Sequence, residues 1–399
     1  MNLLFAKIRH SPVLWLLVLA PVAIATAKMM PHAHSVLFVL SVLAIVPLAT
    51  LLSLATESIA ARTGDSVGGL LNATLGNLTE LVIALAALRA GEYLLVKASI
   101  AGAIVANSLF MLGASFLLGG LKNHVQEYNR DSARLQAGLL FLATVALLIP
   151  SAVSKADAAP GLAFTQQLSV GLSVILIATY GLSLLYSLKT HRELFESNGE
   201  GESHEQPWPV PVALGTLACV TVLVALISEI FVESVQHAGA ELGMNPAFVG
   251  FIIVALVGSA AEMASAFSGA LKNRLDLSVG IALGSASQIA LFVAPVLVLL
   301  SHVIGPEPMD LQFWPGAIVM VVIATLTMAF VTNSGRSTWF VGASILMVYL
   351  IFAMTLLLMP PRQAIEASPI SVSQSDAITV PSLQSPNPMF AWLPQRSPR

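Results

Sequence analysis

Gly68-Gly69-Leu70-Leu71-Asn72-Ala73-Thr74-Leu75-Gly76-Asn77-Leu78-Thr79-Glu80 stands near one-fifth of the chain. Gly250-Phe251-Ile252-Ile253-Val254-Ala255-Leu256-Val257-Gly258-Ser259-Ala260-Ala261-Glu262 stands past its middle. The glycines at 68 and 250, those at 76 and 258, and the glutamates at 80 and 262 are each 182 residues apart. The same spacing relates Gly102 to Gly284, Leu109 to Leu291 and Phe110 to Phe292. Apolar segments match by chance more readily than polar ones. A register shared across two segments, with a glutamate fixed in it, points to an internal repeat.

The composition says where that repeat lives. Of 399 residues, 56% are hydrophobic and 10% charged, against roughly 25% charged in a soluble domain. This excludes an ordinary globular enzyme and a disordered chain, and points to lipid as the main solvent. Eighteen basic and 21 acidic residues give a net charge of −3, which excludes a strongly basic nucleic-acid binder. The single cysteine, Cys219, has no partner for a disulfide or a thiolate site.

A bilayer core of about 30 Å takes about 20 apolar helical residues. Eleven stretches qualify: 12–30, 36–60, 68–90, 95–119, 134–150, 168–190, 210–235, 247–270, 276–300, 313–331 and 339–359. They are continuous rather than alternating, so a β-barrel is excluded. The first ends in Thr26-Ala27-Lys28, a poor cleavage site, and reads as a retained helix. The expected fold is therefore all-α and polytopic, with about eleven transmembrane helices.

Glu80 falls in the third helix and Glu262 in the eighth. Five helices separate them, and an odd step reverses direction, so the chain reads as two inverted five-helix repeats plus an extra N-terminal helix. The expected divisions are that helix in 1–35, the first repeat in 36–190, an acidic cytoplasmic linker in 191–209, the second repeat in 210–360, and a disordered Ser/Pro-rich tail in 361–399. The linker carries Glu193, Glu196, Glu200, Glu202 and Glu205. It reads as a solvated connection or as a segment that gathers cations.

Loop charges orient the chain. With the N-terminus cytoplasmic, that side holds Lys7, Arg9, Arg62, Lys122, Arg130, Arg134, Lys189, Arg192, Lys272, Arg274 and Arg336. The other side holds Lys28, Arg89, Lys97 and Lys155. This favours a cytoplasmic N-terminus and an external C-terminus.

A carboxylate at mid-membrane costs roughly 2.5–3.5 kcal/mol on insertion scales, so neither motif glutamate is expected to face lipid. Asn77 lies three residues before Glu80, and Ser259 three before Glu262, on the same helix face. Gly76 and Gly258 permit close approach and local unwinding. The helices that follow add Asn107, Ser108, Ser285, Ser287 and Gln288. Carboxylate, amide oxygen, hydroxyl and freed carbonyl are the hard donors calcium takes. The serines could equally be packing residues bonded to their own helix. Glu57 and Glu229, each toward the end of the helix before a motif helix, are either interfacial caps or ion-pathway residues. Two facing carboxylates cannot both stay charged without a cation between them, so the empty site should hold protons and exchange them for a divalent ion.

At this point the residues resemble a known family. Gly76-Asn77-Leu78-Thr79-Glu80 and Gly258-Ser259-Ala260-Ala261-Glu262 are similar to the paired motifs of the calcium/proton exchangers of the cation/calcium exchanger superfamily. The similarity continues through Gly102-Ala103-Ile104-Val105-Ala106-Asn107 and Gly284-Ser285-Ala286-Ser287-Gln288-Ile289-Ala290-Leu291-Phe292. It implies calcium export against protons, with Glu80 and Glu262 taking cation and protons in turn; the compactness of the chain adds the expectation of a bacterial-type plasma membrane. It implies polar partners at Asn77, Asn107, Ser285 and Gln288, with Ser259 as the second motif's counterpart of Asn77, and no cofactor beyond the transported ions. Ser259 stands where the family commonly has Asn, and Met263 where it commonly has His; both bear on selectivity and coupling. A sodium- or manganese-linked exchanger of the same superfamily and a cation channel stay open, as does assembly into homo-oligomers.

Overall fold

The computed structural model describes residues 11–63, 65–153, 162–191 and 207–359. The tail and nearly all of the acidic linker, with its five glutamates, lie outside these. Each of the eleven apolar stretches is a helix, since a chain in lipid must satisfy its backbone groups internally. Among the described residues nine are long and apolar enough to cross a bilayer: α1 Pro12–Met29, α2 His34–Ala60, α3 Val67–Arg89, α4 Tyr93–Asn123, α5 Arg130–Val153, α6 Ala163–Thr190, α7 Val210–Glu241, α9 Leu275–Ile304 and α11 Trp339–Leu358. The tenth, α8, is a pair, Pro246–Gly258 and Ala260–Leu271, bent by 59°. The eleventh, α10 at Pro315–Val331, has 17 residues and so is about 25 Å long.

Most helices run past their apolar stretch. α7 is the clearest case, continuing from the expected 235 to Glu241, whose carboxylate accepts a hydrogen bond from the Ser35 hydroxyl. The ends are polar because they leave the hydrocarbon, not because the helix stops. In the centre of the bundle α4 is mostly buried, whereas α6 is largely exposed.

Two short strands show which loops share a face. β1, Val125–Glu127, pairs antiparallel with β2, Arg336–Thr338. They join the α4–α5 and α10–α11 connections, and the six helices between them are an even number of crossings. Arg62 Nη2 donates to the carbonyl of Pro207 (2.7 Å), and Lys122 Nζ to that of Leu271 (2.9 Å), on this same face. On the opposite face Lys97 Nζ meets Asp310 Oδ1 at 2.5 Å. The Tyr93 hydroxyl there bonds both the N–H and the carbonyl of Glu307.

The repeat is visible in the backbone. The motif helices break at Asn77 (φ −94°, ψ 22°) and at Ser259 (φ −84°, ψ 10°), 182 residues apart and nearly identical in conformation. α4 widens into a π-turn at Ala106–Met111 and α9 into one at Ile289–Val293. The offset carries the first turn onto 288–293. Insertions of this kind cluster at functional sites. Phe110 and Phe292, equivalent by the offset, each pack on a tyrosine of the other half: Tyr349 with ring centroids 5.2 Å apart, and Tyr180 at 5.1 Å.

Candidate functional site

Each motif break restarts a helix, and each glutamate lies in the first turn after it. A half-helix N-terminus has backbone N–H groups to spare and favours negative charge. The two breaks lie against each other. Ser259 Oγ of the second motif donates to Glu80 Oε1 of the first at 3.1 Å. A Cβ placed on Gly258 would sit 3.0 Å from Glu80 Cγ; one on Gly76 would sit 4.0 Å from Glu262 Oε1. Gly258 thus makes room for Glu80, whereas at Gly76 the tight neighbour is the Asn72 carbonyl oxygen, 2.6 Å from such a Cβ, and Glu262 lies at ordinary contact distance.

A chain of amides and hydroxyls runs beside this pair. Asn107 Nδ2 donates to Ser285 Oγ (2.7 Å), Ser285 Oγ to Asn77 Oδ1 (3.1 Å), and Asn77 Nδ2 to Gln288 Oε1 (2.6 Å). Asn77, Asn107 and Ser285 are buried. Buried amides in lipid need such partners, and this chain supplies them across the two halves. The π-turns hold its outer members, with Asn107 inside one and Gln288 immediately before the other. Ser287 bonds only the Gly284 carbonyl of its own helix (2.9 Å), and so behaves as a packing serine.

The pair sits between very unequal spaces. On one side a cavity of ≈ 600 Å³ is lined by Ser53 and Glu57 of α2, Asn72 and Gly76 of α3, Asn129, Ser132 and Gln136 at the start of α5, Glu262 and Ser265 of α8, and a stripe on α9. That stripe is Asp276, Gly280, Gly284 and Gln288. Spaced every fourth residue, it marks one helix face running about 18 Å from the mouth inward. The mouth lies on the face of the β1–β2 pair. On the other side, Glu80, Ser99, Ile100, Ala103 and Val254 enclose only ≈ 10 Å³.

The seven residues expected to handle the cation, Glu80, Glu262, Asn77, Ser259, Asn107, Gln288 and Ser285, are therefore brought to one place. Glu57 and Glu229 are not brought together. Glu57 lines the large cavity, with Ser53 Oγ donating to it at 3.1 Å. Glu229 lies toward the opposite face, 3.6 Å from Arg89 Nη1, with both side chains exposed. Sequence reasoning missed Asn72, Gln136 and Asp276. The four-residue stripe on α9 would have pointed to Asp276, and Asn72 stands one turn before Gly76 in the first motif stretch; nothing in the motifs marks Gln136.

Glu262 Oε2 and Asn107 Oδ1 are buried and accept no hydrogen bond. Unpaired acceptors beside two carboxylates suit a hard cation. No three His, Cys, Asp or Glu side chains among the described residues gather as a metal cluster; the polar groups at the breaks are one carboxylate pair and neutral oxygens.

A polytopic bundle with broken helices meeting at a carboxylate pair is the architecture of a membrane cation exchanger. Residues 33–189 and 212–358 match the sodium/calcium exchanger protein family, and the chain belongs to it. Among its relatives is the Ca(2+)/H(+) antiporter of Aphanothece halophytica, 40% identical over 338 residues, which are 81% of this chain and 90% of that one. The Ca(2+)/H(+) antiporter ChaA of Bacillus subtilis is 42% identical over 346 residues, 86% of this chain and 97% of that one. The solved structure of native YfkE has a TM-score of 0.75 at 38% identity, covering 86% of this chain and 99% of its own. The H+/Ca2+ exchanger CAX shares the fold, with a TM-score of 0.66 at 17% identity over 86% of this chain and 91% of its own.

Proposed function

We propose that this multi-pass membrane protein exchanges calcium for protons, with Glu80 and Glu262 carrying cation and protons in turn. One observation carries the reading: Glu80 lies against Gly258 and Ser259 of the other motif, and Glu262, on the other side of that contact, lines the closed end of a polar cavity. The relatives named Ca(2+)/H(+) antiporter support the ions chosen. Asn77, Asn107, Ser259, Ser285 and Gln288 supply neutral oxygens and hold the carboxylates in register. The protein is a carrier and not an enzyme.

The chemistry follows from charge balance. A divalent cation neutralises the carboxylate pair; without it, protons do. Either loaded state can pass through a closed form, whereas an empty ionised pair is too costly to occlude. Transport is then obligatory exchange. Access alternates when the two halves trade packings, the face now open closing as the other opens. The working divisions are α1 as an addition outside 36–190 and 210–360, the two inverted repeats.

Orientation follows from charge. The face with the cavity mouth carries Arg62, Lys122, Arg130, Arg134, Lys189, Lys272, Arg274 and Arg336, against Lys28, Arg89 and Lys97 opposite. Eight against three among the described residues favours a cytoplasmic mouth, with the N-terminus inside and the C-terminus outside; the membrane we propose is the plasma membrane. The form described here is then open inward, with Glu57 on the inner ion path.

The test uses purified protein in vesicles with an acid interior and a pH dye. Calcium, sodium, magnesium and manganese are added separately. Calcium is expected to collapse the pH gradient with matching calcium uptake, and Glu80→Gln and Glu262→Gln to do neither. Calcium uptake without proton movement, or wild-type exchange by either variant, would overturn the reading.

A further inference from the structure

Gln136 belongs to α5, which carries neither motif and is not a motif helix's successor. Ser132, Ala133 and Gln136 line the cavity from one face of α5, and Gln136 is the deepest of the three. Its Nε2 lies 3.5 Å from Ser132 Oγ, on the side of the mouth. Its Oε1 is buried, accepts no hydrogen bond, and lies 3.7 Å from where a Cβ on Gly284 would be. Gln288 Nε2 lies 4.0 Å from that same point, and Gln288 Oε1 belongs to the chain through Asn77 and Ser285.

An unpaired buried acceptor is costly to keep unless something else satisfies it. Glu262 Oε2, in the same cavity, is unpaired too. A carboxylate oxygen and an amide oxygen, both without donors and both on the inner side of the carboxylate pair, make a landing for a hard cation. The repeat offers no equivalent: the offset carries Gln136 to Ile318, a residue of α10 with no side-chain oxygen to give.

We infer that Gln136 is a further cation-ligating residue, contributing its amide oxygen to a calcium ion loading from the cavity side, and only from that side. The inference rests on the proposed exchange and adds a sidedness to it: calcium is held more tightly by the site when it faces the cavity than when it faces the opposite membrane surface.

The experiment measures calcium dependence of exchange from each side of vesicles in which the protein is uniformly oriented, for wild type, Gln136→Leu and Gln136→Asn. Gln136→Leu keeps the bulk and removes the oxygen. It is expected to raise half-saturating calcium about fivefold from the cavity side, as for one lost neutral ligand. The value from the other side and the maximal rate should hold within about twofold. Gln136→Asn, whose oxygen is drawn back by one methylene, should fall between. Calorimetric binding of calcium to the detergent-solubilised proteins gives a readout that needs no transport, and should show the same order. An unchanged cavity-side value in Gln136→Leu would overturn the inference. So would an equal rise from both sides, which is what a merely structural role would give. Wild type and Glu262→Gln run in parallel: a wild type that fails to exchange calcium for protons sinks the proposed function itself, whereas a working wild type with an indifferent Gln136→Leu sinks only this inference.

Discussion

The two motif helices start from similar sequence and finish in opposite company. The first half of α8 lies directly on α4. A Cβ on Gly102 would be 2.1 Å from the carbonyl oxygen of Phe251, and one on Gly250 would be 2.5 Å from the Cβ of Ala98. The first half of α3 lies elsewhere. A Cβ on Gly68 would be 2.2 Å from the Ala60 carbonyl oxygen, and one on Gly69 would be 2.5 Å from Cδ2 of Leu188. The face of α9 equivalent to the covered face of α4 is bare. Nothing lies within 4 Å of a Cβ on Gly280, and only the amide ends of Gln136 and Gln288 lie near one on Gly284. One sequence pattern thus supports two packings, and the molecule shows both at once. The sealed packing leaves ≈ 10 Å³ beside Glu80, the open one ≈ 600 Å³ beside Glu262.

The comparison can be broken in several places. The largest effect is expected at the shared centre, where Asn77→Leu removes the amide that joins α3 to both Ser285 and Gln288. Exchange in vesicles should fall at least about tenfold, with folding retained by size-exclusion chromatography. Next comes Gly102→Ala on the sealed side. It puts a methyl into the Phe251 backbone and should cost about 1–3 kcal/mol, read as a lower thermal midpoint in detergent. Gly284→Ala, its equivalent on the open side, meets nothing closer than 3.7 Å. It should leave the midpoint within about 0.5 kcal/mol of wild type yet slow the turnover, because a bare face must still close. Equal destabilisation by the two alanines would mean that the halves are not in different packings. A smaller effect is expected from Glu57→Gln at the mouth. It should raise half-saturating calcium about twofold at low salt and less at high salt, as a change in steering does. The smallest belongs to Glu229→Gln. Its exposed partnership with Arg89 is worth about 0–1 kcal/mol, so stability and transport should both stay near wild type. A Glu229 effect as large as that of Glu57 would show that the face opposite the cavity mouth holds an ion path too.

The parts that were legible in the sequence are those the repeat writes twice. The motif glycines, glutamates and their polar neighbours announce themselves because mid-membrane polarity is costly and the same register recurs. Asn77, Asn107, Ser285 and Gln288 then proved to be a single hydrogen-bonded chain. Asn72, Gln136 and Asp276 were not legible from the repeat, and the offset shows why: their equivalents are Val254, Ile318 and Leu94. A residue that serves one face of the membrane has no echo in the other half, so a search for symmetry passes over it. Nor does hydropathy distinguish a helix that lines water from one packed on its neighbour. α4 and α9 look alike in composition, and only the placement of α3 decides which of them is wetted.

The hydrogen bonds of the centre have a bearing on divisibility. Ser259 to Glu80, Asn107 to Ser285, Asn77 to Gln288 and β1 to β2 all run between one half of the chain and the other. A polypeptide ending at the linker would bring Glu80, Asn77 and Asn107 to a membrane that holds none of their partners. Two such fragments made in one cell, however, carry complementary unsatisfied edges, and these edges are what would let separate chains find each other. The duplication is plain along the chain, but the candidate site belongs to neither copy.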